Sequence, residues 1–286
     1  MFDIIAKIGR TIVQHGPHND RIYVMRLSSQ DMPGITSRLH DMARANKYSK
    51  IFVKVPSFAL DAFMNAGYVV EAYVPGFFDG HESGYFMAKY LDGARATEMK
   101  NHIVEGVLSA ASKIAGKWKT PSLMEGFTFH MAGPKDAEDL ARLYSRVFST
   151  YPFPINDAAY ICRTMEKNLR YFCVRSNGRL VAASSAEMDH DLKNVEMTDF
   201  ATLQGYQGRG ISAYMLHKME ENMRQEGMKL AYTIARATSQ PINRIFSRAG
   251  YSYGGRLTNN TNICGTIESM NVWYKSLGRF ASSAFP

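Results

Sequence analysis

Cysteine is scarce in this chain of 286 residues: Cys162, Cys173 and Cys264 are widely spaced and form no C-x-x-C pair. Such a set excludes a disulfide framework and points to reduced thiols in a cytoplasmic protein. The eight histidines form no H-x-x-x-H or H-E-x-x-H pair, so no metal is expected. No run approaches about 18 consecutive apolar residues, and no membrane association is expected. Met1–Arg10 lacks the apolar core and small-residue cleavage site of a secretory signal. The net charge of +8 is dispersed rather than gathered into a stripe, so nucleic acid is not the expected partner. A basic surface would equally attract a polyanionic cofactor. Hydrophobic and aromatic residues, at 45% and 12%, are ample for one large or two small domains.

The most informative stretch is Val195–Glu221. Val195, Met197, Phe200, Ala201 and Leu203 read as a strand, and Ile211, Met215, Leu216 and Met219 recur at helical spacing. Between them Gly205, Gly208 and Gly210 crowd one turn. A Gly-rich turn feeding a helix N-terminus aims unpaired N–H groups at one point and favours an anion such as pyrophosphate. Gly208–Ala213 formally fits the dinucleotide fingerprint, but that motif needs an acidic residue roughly 20 positions on. The next strand, Leu230–Ala235, is followed by Arg236 instead. Gln207-Gly208-Arg209-Gly210-Ile211-Ser212 resembles the Q/R-x-x-G-x-G/A pyrophosphate loop of the GNAT N-acetyltransferases, with Ser212 where that family has Gly or Ala. The resemblance implies acetyl-CoA as co-substrate, held by Leu203, by Gln207 to Ser212 and by Asn243 on the pantetheine path.

In chain order, strands are expected at Arg21–Leu27, Ile51–Val55, Val69–Val74 and Gly84–Leu91, with helices at Met32–Asn46 and Phe58–Asn65. Residues 1–20 read as a short apolar start and a turn. A polar, alanine-rich helical linker follows over residues 93–124. From residue 125 to 277 the order is β-α-α-β-β-β-α-β-α-β-β, including a hairpin around Ser176-Asn177-Gly178. That order is the GNAT order: an α/β (α+β) fold with a mixed central sheet flanked by helices. Residues 278–286 read as a flexible tail. Phe63–Tyr68 matches Phe246–Tyr251 at a constant spacing of 183, which Met87 and Met270 share. Residues 1–92 therefore read as a degenerate GNAT-like half domain that lacks the glycine turn.

Amine acetylation needs a base, because an ammonium with a pKa of about 10.4 holds its proton at pH 7 by roughly 4–5 kcal/mol. Glu196 and Asp199 precede the loop and are the catalytic candidates. Their opposite parity sends them to opposite faces unless a bulge intervenes. Glu196 could instead be a solvated strand residue, whereas Asp199, within an apolar stretch, could instead bind a substrate ammonium. The family's usual acidic Tyr is replaced here by Phe246, which leaves the proton donor open.

Further stretches extend the resemblance over nearly the whole chain: Phe52–Pro56, Glu71–Phe78, Tyr151–Ile155, Thr198–Leu203, and Asn259-Asn260 through Ile267–Lys275. They are similar to the β-lysine N6-acetyltransferases. That resemblance implies a small-molecule amine, β-lysine, acetylated at its terminal amine to an osmolyte, with a lysine 2,3-aminomutase supplying the substrate. A diammonium carboxylate calls for acidic residues and a cation or amides. Glu187 and Glu268 are candidates for the ammonium groups, Asn260 for the carboxylate, and Tyr151 and Phe153 for the methylenes. A homodimer is compatible with the sequence. The rival readings are an acetyltransferase of protein lysines or N-termini, and a non-catalytic acyl-CoA sensor.

Overall fold

The computed structural model describes residues 3–278; the expected tail lies, from 279 onward, outside them. The first half comprises β1 (Ile4–Ile8), β2 (Thr11–Gly16), β3 (Arg21–Arg26), α1 (Ile35–Ala45), β4 (Lys50–Pro56), α2 (Leu60–Asn65), β5 (Val69–Phe78) and β6 (Glu82–Tyr90). After α3 (Asn101–Ser112) come β7 (Phe127–Met131), α4 (Ala137–Val147), α5 (Ala158–Met165), β8 (Leu169–Ser176), β9 (Arg179–Asp189) and β10 (Asn194–Thr202). The chain continues through α6 (Ile211–Gln225), β11 (Leu230–Arg236), α7 (Gln240–Arg248), β12 (Ser252–Ile263) and β13 (Thr266–Ser276). The strands form one mixed 13-stranded sheet in the order β1-β2-β3-β4-β6-β5-β12-β13-β11-β10-β9-β8-β7.

Local chemistry explains the elements that frame the site. Asn177 and Gly178 take successive positive φ values of 49° and 77°, the conformation a tight β8–β9 hairpin requires. On α6, Ile211, Met215, Leu216, Met219 and Met223 are buried along one face, as the apolar spacing requires.

The two halves share one pattern of pairing. β3 runs parallel to β4 as β10 does to β11. β4 is antiparallel to β6 as β11 is to β13. The β5–β6 and β12–β13 hairpins slip register at Val70/Ala72 and Tyr253/Gly255. The halves meet edge to edge where Ala72 pairs with Gly255. A Cβ on Gly255 would stand 2.2 Å from the Glu71 carbonyl oxygen, so the joint requires glycine.

One local reading needs correction. Residues 4–16 form the hairpin β1–β2 rather than an apolar start and a turn. Thr11 and Gln14 are buried in it: the Thr11 hydroxyl donates to Asp31 at 2.7 Å, and the Gln14 amide to the Pro152 carbonyl at 3.3 Å. The helix expected in the linker is α3, and it is packed. Val104, Val107 and Ala111 of α3 are buried, and Ser247 of α7 donates to the Ala111 carbonyl at 2.8 Å.

Candidate active site

The site begins where two parallel strands part. β10 and β11 pair only through Asn194–Leu230, Val195–Ala231 and Glu196–Tyr232. Beyond Glu196, β10 pairs only with β9 on its other side, and beyond Tyr232, β11 pairs only with β13. The facing edges carry main-chain N–H and C=O groups with no strand partner across the gap. A buried segment of that kind must satisfy them elsewhere, and a bound amide chain can do so.

At the open end of this wedge lies the glycine turn. Gly205, Gly208 and Gly210 take φ values of 89°, 76° and 75°, and a Cβ added to any of them would meet nothing within 4 Å. Gly210 is the N-cap of α6 with no side-chain cap, so the first N–H groups of that helix are uncapped. Open space above positive-φ glycines at a positive helix end fits a phosphate. Gln207 and Arg209 are exposed beside it, with Arg209 stacked 5.4 Å from the Tyr206 ring. The Ser212 hydroxyl bonds Thr202 at 3.3 Å, and Ile211 is buried beneath the loop.

Behind the apex is a cavity of about 380 Å³. The second half lines it with Glu187, Glu196, Asn168 and Tyr232, and the first half with Tyr23, Lys54, Phe77 and Phe78. Burial raises Glu196 to a pKa of about 7; Lys54 and the Tyr232 hydroxyl pull it down, while Glu187 and Asp199 push it up. Glu187 is raised by burial and by Asp199, against Lys54 and the Asn168 amide. Burial likewise raises Asp199, although Ser185, Tyr151 and Thr198 hydrogen-bond to its carboxylate.

Asp199 departs from strand geometry, with φ at 54°, inside a register slip between Thr198 and Ala201. The bulge reverses side-chain parity. Val195, Met197 and Phe200 pack on the α6–α7 side, whereas Ala201 joins Tyr151 and Tyr171 on the opposite face. Asp199 lies on that opposite face, bonded by the Tyr151 hydroxyl and, at 2.5 Å, by the Ser185 hydroxyl. Glu196, Glu187 and Asp199 thereby come close enough to perturb one another.

Other candidates are engaged elsewhere. The Asn243 amide donates to the Arg236 and Ser239 carbonyls at 2.9 and 2.8 Å and accepts from Asn271 and Trp273 at 2.9 and 2.8 Å. Both its donors are used and it is fully buried, so it braces α7 against β13 rather than facing a cofactor. The Leu203 N–H donates to Val181 at 2.9 Å and its carbonyl accepts from Tyr206 at 3.0 Å, leaving no free donor for a ligand. Glu268 is away from the cavity; its carboxylate is held by Arg236 at 2.7 and 2.8 Å and by Thr238 at 3.0 Å. That pairing overcomes burial and lowers its pKa. Asn260 is buried in the seam between the halves, where its main-chain carbonyl accepts from Arg21 at 2.5 Å and its side-chain amide donates to Thr261 at 3.3 Å. Phe153 lines a separate cavity of about 230 Å³ with His18, Tyr144 and Tyr151. Phe246 is buried against Phe200 and Tyr251 and offers no proton.

Sequence reasoning passed over Lys54, Tyr23 and Tyr232. One signal for Lys54 was present: a single charge inside the apolar strand Ile51–Val55.

Comparison with known proteins now bears on this geometry. Residues 137–251 match the acetyltransferase (GNAT) family, which spans the wedge, the glycine turn and α6. The chain is 41% identical to a β-lysine N(6)-acetyltransferase of Methanococcus maripaludis, over 95% of its own length and 98% of that protein's. It is 33% identical to the N-acetyltransferase YodP of Bacillus subtilis, over 93% and 96% of the two chains. A β-lysine N(6)-acetyltransferase of Methanosarcina mazei is 31% identical, over 85% and 97%. The chain belongs to the GNAT acetyltransferases, in the family of the β-lysine N6-acetyltransferases, and is an N-acetyltransferase that uses acetyl-CoA.

Proposed function

We propose that this enzyme acetylates the terminal N6 amine of β-lysine by direct transfer from acetyl-CoA in a ternary complex. The observation that carries the reading is Glu196: a carboxyl with a pKa of about 7, facing an acidic, aromatic-walled cavity where β10 and β11 part. The turn from Gln207 to Ser212 would hold the pyrophosphate. Unpaired N–H groups in the wedge would bind the pantetheine amides and stabilise the oxyanion of the tetrahedral intermediate. Glu196 takes the ammonium proton, offsetting the roughly 4–5 kcal/mol needed to expose the amine lone pair at pH 7. Glu187 attracts the ammonium groups, and Asp199, bonded by Tyr151 and Ser185, adds negative charge near Glu196. Tyr23, Phe77, Phe78 and Tyr232 wall the methylenes. In this reading residues 125–277 form the catalytic domain, and residues 1–92 are a degenerate copy that closes the cavity. Supply of the substrate by isomerisation of lysine, the reaction of a lysine 2,3-aminomutase, belongs to the same reading.

The test is thiol release from acetyl-CoA with β-lysine, L-lysine, spermidine and a lysine peptide in parallel. β-Lysine should give the highest kcat/KM, rising with pH through about 7 as Glu196 ionises. Glu196→Gln should lower kcat by about 10²–10⁴-fold. Reaction of the peptide alone would overturn the small-molecule substrate, and coenzyme A binding without turnover of any amine would indicate a sensor.

A further inference from the structure

The catalytic carboxyl belongs to the second half of the chain, but the cation facing it comes from the first. Lys54 projects from β4 into the cavity. Its Nζ donates to the Tyr232 hydroxyl at 3.1 Å. Four rings surround the ammonium: Tyr232 at 5.3 Å, Tyr23 at 5.4 Å, Phe77 at 5.7 Å and Phe86 at 6.0 Å from their centroids. Among the described residues no carboxylate forms an ion pair with it within 4.0 Å. A half-buried lysine in such a cage is expensive unless a second feature retains its charge. Burial does oppose the ammonium, but the Tyr23 and Tyr232 oxygens and Glu196 outweigh it and hold its pKa well above the ordinary value. Lys54 is therefore a fixed cation and not a nucleophile or base.

Tyr232 is the link. It is the β11 residue paired with Glu196 across the apex, it lines the same cavity, it accepts the Lys54 hydrogen bond, and its hydroxyl favours the Glu196 carboxylate. We infer that Lys54 is a positioning residue: through the Tyr232 hydroxyl it orients the Glu196 carboxylate and favours its ionised form, so the first half of the chain completes the catalytic site. This rests on the reading of Glu196 as the base. The titratable groups facing Glu196 are Lys54 on β4, Tyr23 on β3, Glu187 on β9, Asp199 on β10, Tyr232 on β11 and Tyr151 on the loop before α5. Of these only Lys54 is positively charged, and with the Tyr232 hydroxyl it favours the carboxylate against the two acidic neighbours and burial.

The direct test is a carbon-13 NMR titration of the protein carrying labelled glutamate side chains, with the Glu196 signal identified by its loss in Glu196→Gln. The wild-type midpoint should fall near 7. In Lys54→Met it should move upward by about one pH unit. Tyr232→Phe should move it in the same direction, and Lys54→Arg should restore it at least in part. The acidic limb of kcat/KM should shift in parallel while coenzyme A affinity is unchanged, so the loss in Lys54→Met shrinks at high pH. A merely structural lysine would lower activity equally at every pH. An unmoved midpoint in folded Lys54→Met or Tyr232→Phe overturns the inference. If the midpoint moves but Glu196→Gln remains fully active, Lys54 still tunes Glu196 and it is the base assignment that fails.

Discussion

Burial gives Glu196 a pKa of about 7, and the same shift makes the residue destabilising above neutral pH. The native chain keeps the proton between the ordinary value of 4.5 and about 7, whereas the unfolded chain has lost it. Stability from this group therefore declines as pH rises through that window and is constant above it. Glu196→Gln should match the wild type in melting temperature at pH 4 and exceed it at pH 8. The gain should be at most about 3 kcal/mol, less whatever residual solvent screening removes. Thermal unfolding of both proteins at the two pH values measures it; equal melting temperatures at pH 8 would mean that Glu196 is not held in an unfavourable state. Neighbouring Asp199 is bonded by Tyr151 and Ser185, which restrains the loop before α5 from within the sheet.

At the scale of elements, the β10–turn–α6 unit combines three departures from regular structure. A bulge turns Asp199 onto the face of Glu196, the parting of β10 from β11 leaves main-chain groups free, and positive-φ glycines open the helix end. Gly210→Ala would place a methyl in that open space and force an L-residue into the left-handed region, costing about 1–2 kcal/mol. The KM for acetyl-CoA should rise about tenfold with little change in kcat, which initial-rate kinetics at saturating amine will report. An unchanged KM would detach the loop from cofactor binding. Gly178→Ala strains the β8–β9 hairpin without touching the wedge and serves as the control.

For the whole molecule, the seam between the halves is where stability and activity meet. Lys50 is fully buried and pairs with Glu71 at 2.9 Å, while the Lys50 ammonium and the Glu71 carboxylate also bond Thr258 from the other half, each at 2.7 Å. Arg95 adds hydrogen bonds to the Asn19 and Asn259 carbonyls at 2.7 and 2.6 Å. Glu71→Ala would leave a buried ammonium unpaired, and loss of about 3–5 kcal/mol is expected in denaturant unfolding. Because Lys54, Tyr23 and Phe77 line the catalytic cavity from the first half, kcat should fall with it, although Glu71 lies outside the cavity. Retention of full stability would show that the seam is held by its apolar contacts alone.

Spacing and turn chemistry in the sequence determined the strand–turn–helix unit, the Asn177–Gly178 hairpin, the acidic candidates Glu187, Glu196 and Asp199, and the family resemblance. These follow from local rules: periodicity of apolar residues, positive φ at glycine and asparagine, and carboxylates next to an anion-binding loop. Only the tertiary structure decided that Asp199 shares the face of Glu196, because a bulge changes parity without altering composition. It also gave Asn243 and Glu268 partners within the protein, since a polar side chain looks the same in sequence whether its partner is a ligand or another residue. Lys54 and Tyr232 are 178 positions apart, and their hydrogen bond exists only because the two halves join edge to edge. Burial of Glu196 has the same origin: the solvent exposure that sets a pKa is a property of what packs against the strand, and that packing comes from distant chain.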